Sequence, residues 1–174
     1  MVPRIAITGF MCVGKTTVAQ ALGQLLGCKV VDLDAAILES EGRNAAEIIR
    51  IDGEDAFRET ESRVLTDLLS DELGLVISLG GGTWIIERNR KVLEEHRYLT
   101  VWLDAPLDLC WKRIEGSAGQ RPLASSYLAV QQLFEARRHV YESADIRVPV
   151  TEAETPDDTA NRIAALVLRD GSNS

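Results

Sequence analysis

The sequence predicts a three-layer α/β/α fold, a five-stranded parallel sheet flanked by helices. Short apolar runs recur at residues 4–8, 29–31, 75–79, 99–103 and 146–150. Four of them are mostly apolar and lack sustained alternation, as strands buried on both faces require. Helical periodicity fills the gaps between them, the pattern of strands joined by helical crossovers. The third observation marks the working end of the sheet. Directly after the first run stands Gly9-Phe10-Met11-Cys12-Val13-Gly14-Lys15-Thr16, a complete G-x-x-x-x-G-K-[ST] phosphate loop. Ligands of such a sheet gather at the carboxyl ends of the strands.

Taken in order, the run 4–8 leads into the glycine loop, and a helical pattern follows to residue 26. In that setting backbone N–H groups wrap a polyphosphate at a helix N-terminus, where the dipole also favours an anion. Lys15 then reaches the outer phosphates and the Thr16 hydroxyl ligates Mg²⁺. These residues imply a protein that binds a nucleoside triphosphate. The second run ends Val-Val-Asp-Leu-Asp, and strand alternation places Asp32 and Asp34 on one face. One carboxylate suits Mg²⁺, directly or through water; the other suits an attacking hydroxyl, as base or as orienter. Asp34 could equally cap the helix that follows.

Residues 34–69 form a long all-helical insertion with periodicity at 44–50 and 55–69, and Arg58 lies on it. The run 75–79 is followed by Gly80-Gly81-Gly82, which let a backbone approach a ligand closely. No Asp ends that run as it often does a Walker B strand, so metal support falls to Asp32. Helices are expected at 87–94 and 107–114, the second starting at Pro106. A polar stretch at 115–126 carries Gly116, Gly119 and Arg121-Pro122 and has the character of a closing lid. A helix at 127–142 bears Arg137, and the last helix, 157–168, begins after Pro156. The whole reads as one domain, 1–170, with its core at 1–33, 75–114 and 127–170 and a frayed tail at 171–174.

Bulk composition narrows the function classes. With 45% hydrophobic residues, disorder is excluded, and a net charge of −8 argues against a nucleic-acid surface. Cys12, Cys28 and Cys110 show no C-x-x-C spacing, which suggests neither a metal site nor a disulfide. His96 and His139 carry no ligand pattern, and Trp102 and Trp111 suit packing. No basic leader with a long apolar segment and no run near ~20 apolar residues occurs, so no membrane partner is expected. The expectation is a cytoplasmic protein, monomeric because no apolar stripe stands out.

Several segments together resemble the shikimate kinase family over nearly the whole chain. They are Gly9-Phe10-Met11 with Gly14-Lys15-Thr16-Thr17, Asp32-Leu33-Asp34, Gly42-Arg43-Asn44 with Glu47-Ile48, and Gly53-Glu54 through Phe57-Arg58 to Glu61. Gly80-Gly81-Gly82, Arg121-Pro122-Leu123 and Arg137 four residues before Tyr141 complete the pattern. The resemblance implies ATP- and Mg²⁺-dependent transfer of a phosphoryl group to the 3-hydroxyl of shikimate, a step towards chorismate and the aromatic amino acids.

Carried over by position, Gly9, Met11, Cys12, Val13, Gly14, Lys15, Thr16 and Thr17 hold ATP, while Arg113 stacks on its adenine. Thr16 and Asp32 serve Mg²⁺, and Asp34 holds the acceptor hydroxyls. Lid Arg121 closes over the transferring phosphate and joins Lys15 and Asp34 as catalytic. Arg58 and Arg137 clamp the shikimate carboxylate, Glu61 orients Arg58, and Gly80, Gly81 and Gly82 line the ring. Two departures stand out. Cys12-Val13 replaces the family's usual Gly-Ala, and residues 151–156 lack the basic residue common in its adenine loop.

Two other readings are a gluconate-type kinase and a non-catalytic nucleotide-binding regulatory module. The first gains nothing from the Arg58 and Arg137 settings. The second predicts damage to Lys15, Asp34 or Arg121, and all three are intact. A protein kinase is disfavoured, since no H-R-D or D-F-G run occurs.

Overall fold

The computed structural model describes residues 4–70, 75–117 and 126–170. Five strands, β1 (Ile5–Gly9), β2 (Lys29–Asp32), β3 (Leu75–Ser78), β4 (Leu99–Asp104) and β5 (Ile146–Pro149), form one sheet. Its order is β2-β3-β1-β4-β5 and every pairing is parallel. The unalternating apolar runs have a direct explanation. Ile5, Ala6 and Ile7 are all fully buried, and consecutive strand residues point to opposite faces, so both faces of β1 are covered. Most partly exposed positions fall on β2 and β5, at the two edges; β4 adds only its first residue, Leu99.

Helix α1 (Lys15–Leu26) follows the glycine loop and packs against β3 and against the last helix. The long insertion resolves into α2 (Leu33–Glu41), α3 (Ala45–Asp52) and α4 (Glu54–Leu69). The sequence did not delimit α2 as a separate helix. Strand β2 stops at Asp32, whose Oδ1 accepts the Ala35 N–H at 3.1 Å and caps α2. Asp34 therefore stands in the first turn of a helix. Strand alternation is not what relates it to Asp32, and the capping role weighed for Asp34 belongs to Asp32. Asn44 and Glu47 close a reciprocal capping box at the start of α3.

After β3 comes a single 3₁₀ turn, Thr83–Ile85, then α5 (Glu87–Glu95). Helix α6 (Leu107–Gly116) has Pro106 at its N-cap, and α8 (Pro156–Asp170) begins on Pro156, both prolines sitting where their missing N–H costs nothing. Helix α7 (Tyr127–Tyr141) completes the set. Trp102 is buried and stacks on Tyr141 with ring centroids 6.2 Å apart, and Trp111 meets Tyr127 edge-on at 5.4 Å. No helix among the described residues is long and apolar enough to cross a membrane. Arg121, most of the expected lid and the tail 171–174 lie outside the described residues.

Candidate active site

A cleft of about 260 Å³ opens at the carboxyl ends of β1, β2 and β3. One end of it is the glycine loop. Gly9 has φ +143°, and a Cβ there would lie 2.7 Å from the Leu103 carbonyl oxygen, so only glycine fits between β1 and β4. Gly14 is the N-cap of α1; no side chain caps that end and no acid stands in its first turn. Its N–H groups and dipole therefore face the cleft as an anion site. Lys15 Nζ donates to the Gly9 and Phe10 carbonyls, each at 2.9 Å, folded back along the loop it serves. Arg113 of α6 donates through Nη1 to the Cys12 and Val13 carbonyls at 3.2 and 2.8 Å and braces the loop from outside. Cys12 itself has φ +59°, a left-handed conformation that costs a residue with a Cβ about 1–2 kcal/mol.

Beside the loop, Thr16 Oγ1 donates to Asp32 Oδ2 at 2.5 Å and lies 3.4 Å from Ser78 Oγ. Sequence reasoning missed Ser78. The signal was its place: it ends β3, where an acidic residue is often found, and it pairs in register with Asp32. One hydroxyl, one carboxylate and a second hydroxyl close by are hard oxygen donors. That set suits Mg²⁺, which keeps several waters, and among the described residues no trio of His, Cys, Asp or Glu offers a site for a softer metal. A second hollow of about 220 Å³ adjoins the loop, lined by Cys12, Val13, Arg113, Val150, Pro156 and Thr159 among others.

Behind Gly80 and Gly81, which line the far side of the cleft, the acceptor end is assembled from distant elements. Arg58, on α4, lies so close to Gly82 that a Cβ there would stand 2.6 Å from both terminal guanidinium nitrogens. Its Nη1 donates to Glu61 Oε2 at 2.9 Å and its Nη2 to Glu54 Oε1 at 3.2 Å. Arg88 of α5 donates to the Arg58 carbonyl at 3.2 Å and to Ser62 Oγ at 2.9 Å. Glu61 is only 1% exposed, and its Oε1 accepts the Thr83 hydroxyl at 2.6 Å. Burial raises its carboxyl pKa and nearby Asp34 pushes the same way, while Arg58 and Thr83 pull it down.

Arg137, from α7, is buried and donates to the Gly81 carbonyl at 3.2 Å. The same oxygen accepts the Tyr141 hydroxyl at 2.5 Å. Burial pushes the Tyr141 phenol up to about 12, so it remains a donor at any ordinary pH. A Cβ on Gly80 would meet Glu61 and Thr83 at 2.9 Å and Asp34 Oδ1 at 3.4 Å. The three glycines thus form a floor on which Asp34, Arg58, Glu61 and Arg137 converge. The sequence named these residues together, and the structure brings them together. Thr83 it did not name at all, and Tyr141 only as part of a motif.

Chemically, the arrangement offers a polyphosphate cradle at one end, two arginines at the other, and the Asp34 carboxylate between them. Relatives share it. The family model for shikimate kinase matches residues 11–167. A shikimate kinase of Persephonella marina is 35% identical over 159 residues, covering 91% of this chain and 95% of its own. The solved structure of a shikimate kinase from Acinetobacter baumannii in complex with shikimate superposes with a TM-score of 0.90 at 32% identity, covering 98% of this chain and 95% of that one. A gluconokinase from Sinorhizobium meliloti, at TM-score 0.69 and 19% identity over 99% of this chain and 95% of its own, shares the fold alone. With a family model spanning nearly the full sequence and a relative above a third identical across it, the chain belongs to the shikimate kinase family.

Proposed function

We propose that this protein transfers the γ-phosphoryl group of ATP to the 3-hydroxyl of shikimate, giving shikimate 3-phosphate and ADP. The observation that carries the reading is the convergence of Arg58 and Arg137, from separate helices, on adjacent glycines beside Asp34. A small anionic polyol needs one strong carboxylate anchor and hydrogen-bond acceptors for its hydroxyls, and paired guanidiniums supply the first. With the carboxylate held there, the ring rests on Gly80–Gly82 and its hydroxyls reach Asp34, which orients the nucleophile and receives its proton. Phosphoryl transfer depends mainly on such positioning and on charge stabilisation.

The loop amides and Lys15 take the phosphates, and Lys15 exchanges its bonds to the Gly9 and Phe10 carbonyls for phosphate oxygens. Thr16 and, through water, Asp32 would hold Mg²⁺, which would supply charge neutralisation, and their 2.5 Å contact already aligns them. The hollow beside Arg113 receives the base. We assign the insertion 34–69 to acceptor binding and Arg121 to a lid that shields the transferring phosphate from water. Free cysteines throughout the described residues support a reducing compartment, the cytoplasm.

The test is ADP release by the purified protein with Mg²⁺-ATP and shikimate, against gluconate, shikimate lacking its carboxylate, and no acceptor. Shikimate-dependent turnover that vanishes without the carboxylate is the expected result. Measurable ATP binding with no shikimate turnover would overturn the assignment.

A further inference from the structure

We propose that Thr83 is a positioning residue for the acceptor anchor: its hydroxyl fixes the Glu61 carboxylate in the orientation that holds Arg58 against Gly82. The assignment rests on Arg58 being the carboxylate anchor. Thr83 opens the 3₁₀ turn, is fully buried, and is itself held at both ends of its peptide unit. Its N–H donates to the Gly80 carbonyl at 3.1 Å, and its own carbonyl accepts the buried Asn89 side-chain amide at 3.0 Å. The hydroxyl therefore has little freedom and is aimed at Glu61 Oε1, 2.6 Å away.

Arg58 has two carboxylate partners of very different kinds. Glu61 is 1% exposed and touches one guanidinium nitrogen; Glu54 is 53% exposed and touches the other. A solvated carboxylate like Glu54 holds an arginine weakly, because water competes for both partners. The buried one dominates only while it stays ionised and correctly turned. The charged groups facing Glu61 are Arg58 on its own helix and Asp34 from α2, and Asp34 opposes ionisation. Thr83 is the neutral donor that offsets this from the turn. Without its hydroxyl, Oε1 is left as a buried, unsatisfied oxygen, which favours a proton or a rotated carboxylate. Either outcome releases Arg58 towards Glu54 and away from the site.

The experiment compares wild type with Thr83→Val, Thr83→Ala and Thr83→Ser by two readouts. Glu61 is titrated by carboxyl ¹³C NMR, assigned with Glu61→Gln, and steady-state constants are measured for both substrates. The valine and alanine variants are expected to raise the Glu61 midpoint by about one pH unit and the shikimate KM about ten-fold. Their kcat and ATP KM stay within about two-fold of wild type, and serine restores both readouts. An unmoved midpoint overturns the proposal. So does an unmoved shikimate KM, or a uniform loss in all constants that serine does not rescue, which would mark a purely structural role. The titration reads Thr83 whatever the acceptor is. A wild type inert towards shikimate would thus sink the substrate assignment while the NMR arm still decides this contact.

Discussion

The two ends of the cleft bind charge by opposite means. The phosphate end is one continuous stretch, residues 9–17, and it works through backbone amides, a helix terminus and glycine geometry. The acceptor end is built from side chains on α4, the 3₁₀ turn and α7, joined by contacts between residues 22 and 56 positions apart. The amides and helix terminus of that cradle do not titrate, so their binding geometry is indifferent to pH. The anchor depends on a buried carboxylate, so its strength is tied to protonation and to every neighbour that turns Glu61. Damage at the first end should be local; damage at the second should spread.

The sharpest break comes between the ends, at Asp34. Asp34→Asn should lower kcat by about 10²–10⁴-fold while ATP binding by calorimetry stays nearly intact. Wild-type-like turnover would remove Asp34 from the mechanism. Next in size, Arg58→Ala should raise the shikimate KM by about 10²-fold with the ATP KM unchanged. It should also cost roughly 3 kcal/mol of folding stability, because it leaves Glu61 buried without its cation. An unchanged shikimate KM would show the anchor to be misplaced.

A pH series separates the ends further. Glu61 is raised from 4.5 chiefly by burial, so the folded chain holds its proton more tightly than the unfolded chain does. That group contributes stability in full below the unfolded value, and the contribution is lost as pH rises through its raised folded pKa. Over the same interval its ionisation engages Arg58. Wild type should therefore lose thermal stability relative to Glu61→Gln above pH 4.5 while its shikimate affinity improves; the phosphate end should show neither trend. If both quantities moved in the same direction, or ATP affinity tracked them, the separation would fail.

The smallest effect belongs to the loop itself. Cys12→Gly relieves a left-handed residue at φ +59° but adds chain entropy to the unfolded state, for a net gain of about 0.5–1 kcal/mol. That is a rise in Tm of about 2 °C for a chain this size, with shikimate KM unchanged. A fall in Tm would mean the Cys12 side chain makes a contact worth more than the strain.

How far the sequence reaches follows the same division. The strands were legible because burial on both faces forces an unbroken apolar run, as at Ile5, Ala6 and Ile7. The phosphate loop was legible because its glycines and Lys15 act within one turn of chain, and the starts of α6 and α8 because proline fits a first helical turn. The boundary at Asp32 was not, since Asp-Leu-Asp satisfies both a strand end and a helix start. Only the capping bond to Ala35 decides between them. Thr83 carries no pattern at all, and Ser78 and Tyr141 carry only a place in one: a hydroxyl is an ordinary residue until the fold sets it against Thr16, Glu61 or the Gly81 carbonyl. Periodicity and loop chemistry act over a few residues and can be read along the chain. Which buried donor meets which buried carboxylate is set by how α4 and the turn pack, and so belongs to the tertiary structure alone.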